Sequence, residues 1–458
     1  MTRTRIASAL AASVLSAAAV SAQDPTSTEA RFAALQERYE SRIQALEAEV
    51  RTLKTGEAAR VEIDRSGAVE SRISELTSSG VMGRALDQTT RYDNRWNPAI
   101  GVVGDFVLAV SDRDDSFESS NQFISRGAEL GVLGRIDPFG YFAAVLHFLP
   151  DEVEFEEGYA VVDQGLPDNF TFKAGKFFYD FGKLAPLHDH ELPFVDKPAV
   201  FQDYLGGGPI GIGAEIHHWF GVGETPVRWS VGAVNAVGGD TIAIVGPAAG
   251  AHEHEEEGGE PFGRRGLENM AFHARLTTVL DLGEASSLQV GLSGIYAPEI
   301  AAFTDDTAGG VLRDETRKRT FGFDLAYRHR DPSRNDAFTM GLEILHNRES
   351  FLDIDGSVSP VVTSVGGTVK AWGGYAYAEY EFDRRWSAGA FFDLFDRAVA
   401  DGFNWTGGGV FVTWKINEFN RLRLQVQAVD DELADDRYFA AMLQWTVVIG
   451  SHSHLLDF

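Results

Sequence analysis

The stretch RLRLQVQAV, residues 421–429, alternates without interruption: Leu422, Leu424, Val426 and Ala428 against Arg421, Arg423, Gln425 and Gln427. A period of two puts one set on each face of an extended strand. Its neighbour in sequence does the same. Between Tyr438 and Ile449, the residues Phe439, Ala441, Leu443, Trp445, Val447 and Ile449 share a face. Upstream, Phe338, Met340, Leu342 and Ile344 oppose Thr339 and Glu343. Phe321, Phe323, Leu325 and Tyr327 oppose Asp324 and Arg328, and Leu288, Val290, Leu292 and Tyr296 oppose Gln289 and Ser293. From about residue 99 some sixteen such segments follow, separated by turn signals.

A soluble two-sheet sandwich also alternates. These segments, however, approach ten residues, which suits a tilted membrane crossing better than an ordinary strand. Aromatic residues recur near strand ends (Trp229, Trp372, Tyr375, Trp386, Trp405, Trp414 and Trp445), where interfacial girdles belong. The expected fold is therefore all-β: a transmembrane antiparallel β-barrel of about 16 strands over residues 96–458, in the outer membrane of a Gram-negative bacterium. The terminal Phe458 fits such barrels, although the last strand finishes near Ile449 and the polar SHSHLLDF follows.

Bulk composition agrees. Of 458 residues 44% are hydrophobic, and the mean hydropathy is −0.14, because a barrel hides its apolar residues in alternation. There are 48 glycines, 32 phenylalanines and no cysteine, the last being compatible with export when barrel closure supplies stability. A net charge of −28 argues against nucleic-acid binding, since no basic excess is present to neutralise phosphates. Acidic loops could instead gather cations at a channel mouth.

Residues 1–22 read as a signal peptide: Arg3 and Arg5, an apolar run from Ile6 to Val20, then Val20-Ser21-Ala22 before cleavage. Residues 23–54 contain the one long helical pattern. Phe32, Tyr39, Ile43, Leu46, Val50 and Leu53 fall on a and d positions of a heptad, with Gln36 at an a position. A short periplasmic coiled coil that joins subunits into a homotrimer is the expectation. At 1.5 Å per residue it reaches only about 40 Å, which favours trimerisation over tethering to the cell wall. Residues 55–95, punctuated by glycine, read as a linker.

If the apolar set faces outer-membrane lipid, the polar set lines the lumen: Arg126, Arg275, Asp324, Arg328, Glu343, Arg421, Arg423, Gln425 and Gln427. Mixed charge on an inner wall suits a hydrated path for small hydrophilic solutes or ions. The pattern offers no G-x-S-x-G, H-E-x-x-H or P-loop, and no enzymatic role is expected. A TonB-type transporter is disfavoured because residues 23–98 are too short and polar for a plug.

The segment FTFKAGKFFYDFGKLAPLHDHELPFVDKP, from Phe170 to Pro198, carries a further signal. Its Lys173-Ala-Gly-Lys176-Phe177, Phe181-Gly182, Pro193-Phe194 and Asp196-Lys197-Pro198 resemble the phosphate-selective porin O/P type of outer-membrane porin. That resemblance implies a sixteen-stranded trimeric barrel and a basic constriction, with Lys173, Lys176, Lys183 and Lys197 as its candidates beside Arg275, Arg328, Arg421 and Arg423. The acidic balance and the interruption by His188, Asp189, His190 and Glu191 depart from the pattern, so architecture is carried over and phosphate selectivity is not. The stretch between Phe178 and Gly208, rich in proline and glycine, is expected to fold into the lumen and set the constriction.

Histidine and carboxylate also cluster. His188, His190 and Glu191 form one group, and His252, His254 and Glu255 another, inside a Gly/Ala-rich loop. Imidazole and carboxylate are suitable Zn²⁺ ligands. A metal-binding or metal-translocating barrel is the alternative function; a structural anchor is a third.

Overall fold

The computed structural model describes residues 98–450 apart from 114–120, 151, 236, 239–269, 284, 299–316, 332–334, 356–361 and 399–401. The signal peptide, the coiled-coil helix, the linker and the His252–Glu255 run fall outside the described residues.

Sixteen antiparallel strands close into one barrel: β1 Ala99–Ser111, β2 Asn121–Asp137, β3 Gly140–Phe148, β4 Val153–Val162, β5 Phe170–Phe178, β6 Ile210–Val222, β7 Thr225–Val234 and β8 Ala271–Asp281, followed by β9 Ser286–Ala297, β10 Lys318–Asp331, β11 Asp336–Asp355, β12 Val362–Glu381, β13 Trp386–Asp396, β14 Asn404–Asn417, β15 Asn420–Asp431 and β16 Asp436–Gly450. Each strand pairs with its sequence neighbours, and β16 returns to β1 with Gly101 opposite Gly450 and Phe106 opposite Trp445. Closure leaves no unpaired edge, which a lipid environment requires.

β15 shows why the chain folds this way. Arg421, Arg423 and Gln425 are buried inside, whereas Leu424 is 52% and Val426 46% exposed on the outside. β16 repeats the pattern with Phe439, Leu443, Trp445 and Ile449 outward and Gln444 and Thr446 fully buried inward. The outer apolar surface would be untenable in water and is what hydrocarbon demands. Replacing Leu424 by Arg is therefore expected to cost about 2–4 kcal/mol of folding free energy. Gln427→Arg, on the lumen side, should cost far less. Urea titration of folding into lipid vesicles measures both.

One rim carries short turns such as Pro138–Phe139 and Glu418–Phe419; the other carries the long connections 179–209, 235–270 and 298–317. Trp229, Trp386, Trp414 and Trp445 stand on the outer face near the short-turn rim, Trp386 stacked on Trp414 at 5.5 Å. Trp372, 59% exposed, stands nearer the opposite rim. Tyr375 and Trp405 are not in the girdle. Their register turns them inward, where Tyr375 hydrogen-bonds Glu343 and Trp405 stacks on Phe395 at 5.3 Å.

Candidate functional site

The connection between β5 and β6, residues 179–209, folds into the barrel. It holds one 3-10 turn, Asp189–Glu191, and a short helix, α1, Ala199–Leu205. Tyr179, Phe181, Leu184, Leu192, Phe194, Phe201 and Tyr204 are each at most 1% exposed. They pack against lumen-facing Tyr159, Tyr375, Tyr377, Phe395 and Phe411 in one core. Phe194 stacks on Phe391 at 5.0 Å, and Phe201 meets Tyr375 edge-on at 5.4 Å. Part of the interior is thus a hydrophobic core, made where the apolar side chains of the loop meet an aromatic stretch of the inner wall.

Polar anchors hold this loop all round. The first amides of α1 face Asp393, with Ala199 N–H donating at 2.6 Å, which satisfies a helix start that lacks an N-cap hydroxyl. Gly206 ends α1 in the left-handed region at φ 59°, and Asp203 accepts from Arg397 at 3.2 Å. Gly182 sits so close to Glu343 that a Cβ would lie 1.8 Å from its Oε1. Only glycine fits there, at φ 65°, with its amide donating to Ser293 Oγ at 3.0 Å.

Five of the predicted pore-lining cations, Arg421, Arg423, Arg275, Lys173 and Lys176, are engaged with the loop, the wall or acids. Arg421 donates to the carbonyl of His190 and to Thr446 Oγ1 at 3.1 Å. Arg423 donates to the carbonyl of Phe194 at 2.9 Å, to Gln444 at 3.2 Å and to Thr413 at 3.1 Å. Arg275 is 4% exposed and meets Asp324 at 2.8 Å, Ser293 at 2.8 Å and Asp180 at 3.4 Å. Arg328 shares the inner face of β10 with Asp324. Lys183 donates to Gln289 at 3.2 Å, and burial together with Arg275 lowers its pKa. Lys173 pairs with Glu215 at 3.3 Å and lies over Phe177 at 4.1 Å. Lys176 stands on the other face of β5, with Phe172 and exposed Ile212, and donates to the carbonyl of Phe155 at 2.7 Å and to Glu154 at 3.3 Å. Lys197 lies over Phe178 at 5.0 Å and lines a cavity described below. The eight cations therefore form no single basic constriction.

Asp180 anchors the start of the loop as a carboxylate. Burial disfavours its charge, but Arg228 at 2.6 Å and Arg275 hold its pKa down to about 2, and Ser230 donates to it at 2.6 Å. A depressed carboxylate contributes its full stabilisation above its unfolded pKa of about 4 and loses it progressively as pH falls from there through the folded value. Asp180 therefore stays charged in the folded protein down to about pH 2, while its contribution to stability declines between about pH 4 and about pH 2.

On the opposite side of the loop lies a cavity of about 300 Å³, lined by Val103, Asp105, Arg126, Gly127, Glu129, His147, Leu149, Glu156, His188, Asp189, His190 and Lys197. Two β-bulges build it. The register of β1 and β2 skips Arg126 between Ser125 and Gly127, and that of β3 and β4 skips Glu156 between Phe155 and Glu157. A bulge re-aims the extra side chain. Arg126 reaches the carbonyl of Val195 at 2.7 Å and also Asp196, while Glu156 joins Glu157 beside the loop histidines.

His188 sits at the centre. Its Nδ1 is 3.2 Å from Glu129 Oε2 and 3.4 Å from Glu156 Oε1, and its Nε2 is 3.3 Å from Glu157 Oε2. Burial opposes its protonation, but Glu129 and Glu156 raise its pKa well above the ordinary histidine value. His190 Nδ1 lies 3.2 Å from Glu129 Oε1. Glu191 does something else: its Oε2 accepts the His188 amide at 3.0 Å and closes the 3-10 turn. A second carboxylate centre, Glu215, gathers His217 at 2.6 Å, Lys173 at 3.3 Å and His273 at 3.5 Å, and accepts the Asp180 amide at 2.9 Å.

Nothing in the sequence pattern singles out Glu129, Glu156, Glu157, Glu215 or His273, whereas His217 and His218 stand as a weaker histidine pair. The available signal was acidic or imidazole side chains at inward parity on otherwise apolar strands. For Glu156 even that fails, because the bulge breaks parity.

No protein-family profile matches the chain. An uncharacterised protein of Aquifex aeolicus (strain VF5) is 25% identical over 343 residues, covering 71% of this chain and 68% of that protein. Among solved structures, the anion-selective porin from Comamonas acidovorans superposes with a TM-score of 0.50 at 9% identity, over 77% of this chain and 99% of that one. OprB of Pseudomonas putida does so with a TM-score of 0.50 at 8% identity, over 79% and 96%. The shared feature is the fold: this chain has the closed sixteen-stranded barrel of the outer-membrane porins.

Proposed function

We propose that the protein is an outer-membrane channel of the porin type that gives passive diffusion to small hydrophilic solutes or ions and favours cations. The observation that carries this is the inward-folded segment 179–209, which narrows a barrel of a strand number otherwise wide enough for an aqueous channel. The short-turn rim then faces the periplasm and the long connections face outward, as in bacterial barrels generally. The heptads over residues 29–54 support a homotrimer.

The cation preference rests on the cavity. Its lining carries Asp105, Glu129, Glu156 and Asp189 against Arg126, Lys197 and the raised-pKa His188, and Arg126 is already compensated by Asp196. Of the lysines of the porin O/P resemblance only Lys197 enters this lining; Lys173 and Lys176 are paired with Glu215 and Glu154. The Comamonas porin is anion-selective; this lining supports the opposite sign. Under a tenfold KCl gradient in a planar bilayer, the reversal potential should have the sign of a cation-favouring pore. Asp189→Asn, whose side chain is half exposed in the cavity, should reduce its magnitude. A potential of anion-favouring sign refutes the preference.

A further inference from the structure

We propose that Glu129, Glu156 and His188 form a binding site for a divalent transition-metal cation of the Zn²⁺ type inside the barrel. The three offer ligand atoms that all lie within 4.8 Å of one another. The geometry is closer than that figure suggests. Tetrahedral bonds of about 2.0–2.1 Å place neighbouring ligand atoms about 3.3–3.4 Å apart. His188 Nδ1 is 3.2 Å from Glu129 Oε2 and 3.4 Å from Glu156 Oε1.

The outer contacts also fit. Glu157 Oε2 stands 3.3 Å from His188 Nε2, so Nε2–H stays on that carboxylate while a metal takes the place of the Nδ1 proton that faces Glu129 and Glu156. His190 Nδ1, 3.2 Å from Glu129 Oε1, holds the other oxygen of that ligand. A carboxylate backing a ligating histidine is the usual support of a bound transition metal. Oε2 of Glu129 and Oε2 of Glu156 are buried, and the groups described beside them are imidazoles: His188 Nδ1 at 3.2 Å from the first and His147 Nδ1 at 3.9 Å from the second. Buried carboxylate oxygens are costly unless hydrogen-bonded, paired or metal-bound. One imidazole and two carboxylates suit zinc and its neighbours better than Mg²⁺ or Ca²⁺, which prefer all-oxygen sites. The adjoining cavity of about 300 Å³ leaves a path to the fourth position. As a cargo or blocker of the channel the ion rests on the porin reading; as a bound ion it does not.

The test is equilibrium dialysis of the refolded full chain in detergent against ZnCl₂, with folding checked by heat-modifiable gel mobility. His252 and His254 can take up zinc themselves, so the readout is a difference. His188→Asn and, as a near-isosteric variant that keeps the loop packed, Glu156→Gln should each lose one tight equivalent. H252N/H254N should retain it. Glu157→Gln should weaken that equivalent by about 10- to 100-fold. Equal zinc uptake by the wild type, His188→Asn and Glu156→Gln overturns the site. Conductance read on the same samples separates the two proposals: lost zinc with retained conductance supports the site within a channel, whereas zinc bound by a silent barrel supports the site and removes the channel.

Discussion

Arg275→Ala is expected to lower the stability of the barrel by about 3–5 kcal/mol, because it strands a buried carboxylate. Asp324 is 1% exposed and has Arg275 at 2.8 Å as its cation; Asp180 on the loop loses one of two. Asp180 still keeps Arg228, so the damage should centre on the β8–β10 wall and the start of the loop. Urea titration in vesicles, or the midpoint of the heat-modifiable gel shift, gives the value. A compensating pair, Arg275→Met with Asp324→Leu, should recover most of the loss, since well-packed apolar residues often replace a buried ion pair at little cost. If Arg275→Ala unfolds at the wild-type midpoint, the loop anchor assigned here is not one.

The second large effect concerns conduction. Replacing residues 186–204 by a short glycine-serine bridge should raise single-channel conductance several-fold. That segment supplies Leu192, Phe194, Phe201 and Tyr204, all buried against the inner wall, and it carries α1. Without it the lumen of a sixteen-stranded barrel is wide enough for an aqueous channel. The barrel itself should still close, because its sixteen strand pairings involve none of those residues. It should also melt earlier, since Tyr375, Tyr377, Phe395 and Phe411 lose their apolar cover. Unchanged conductance would show that the loop does not form the constriction.

The barrel was legible because lipid and lumen impose opposite demands on alternate residues. Arg421 to Gln427 display this as plainly in sequence as in space. The inward path of residues 179–209 was also foreseeable from its prolines and glycines. Its partners were not. Arg421 and Arg423 hold carbonyls of His190 and Phe194 more than two hundred residues away, and no local pattern encodes that. The helix Ala199–Leu205 is short and stabilised chiefly by the wall it meets, so propensity alone gave no sign of it.

Other differences follow from parity. Lys173 and Lys176 are three residues apart and so stand on opposite faces of β5, which separates two of the constriction candidates. Tyr375 and Trp405 lie near strand ends like the girdle residues, but their inward parity decides for the core. The bulges at Arg126 and Glu156 add the opposite lesson, since strict alternation misplaces the very residues that line the cavity. The sequence sets His188 and His190 beside Glu191 as metal candidates. The fold brings the two histidines to Glu129 and Glu156 on β2 and β4, and leaves Glu191 to close a turn.

The most direct measurement is the current through the refolded wild-type protein in a planar lipid bilayer. A channel narrowed by residues 179–209 predicts discrete, steady current steps that scale with salt concentration. A barrel that is folded by its heat-modifiable mobility, inserts into the membrane and carries no current would contradict the account.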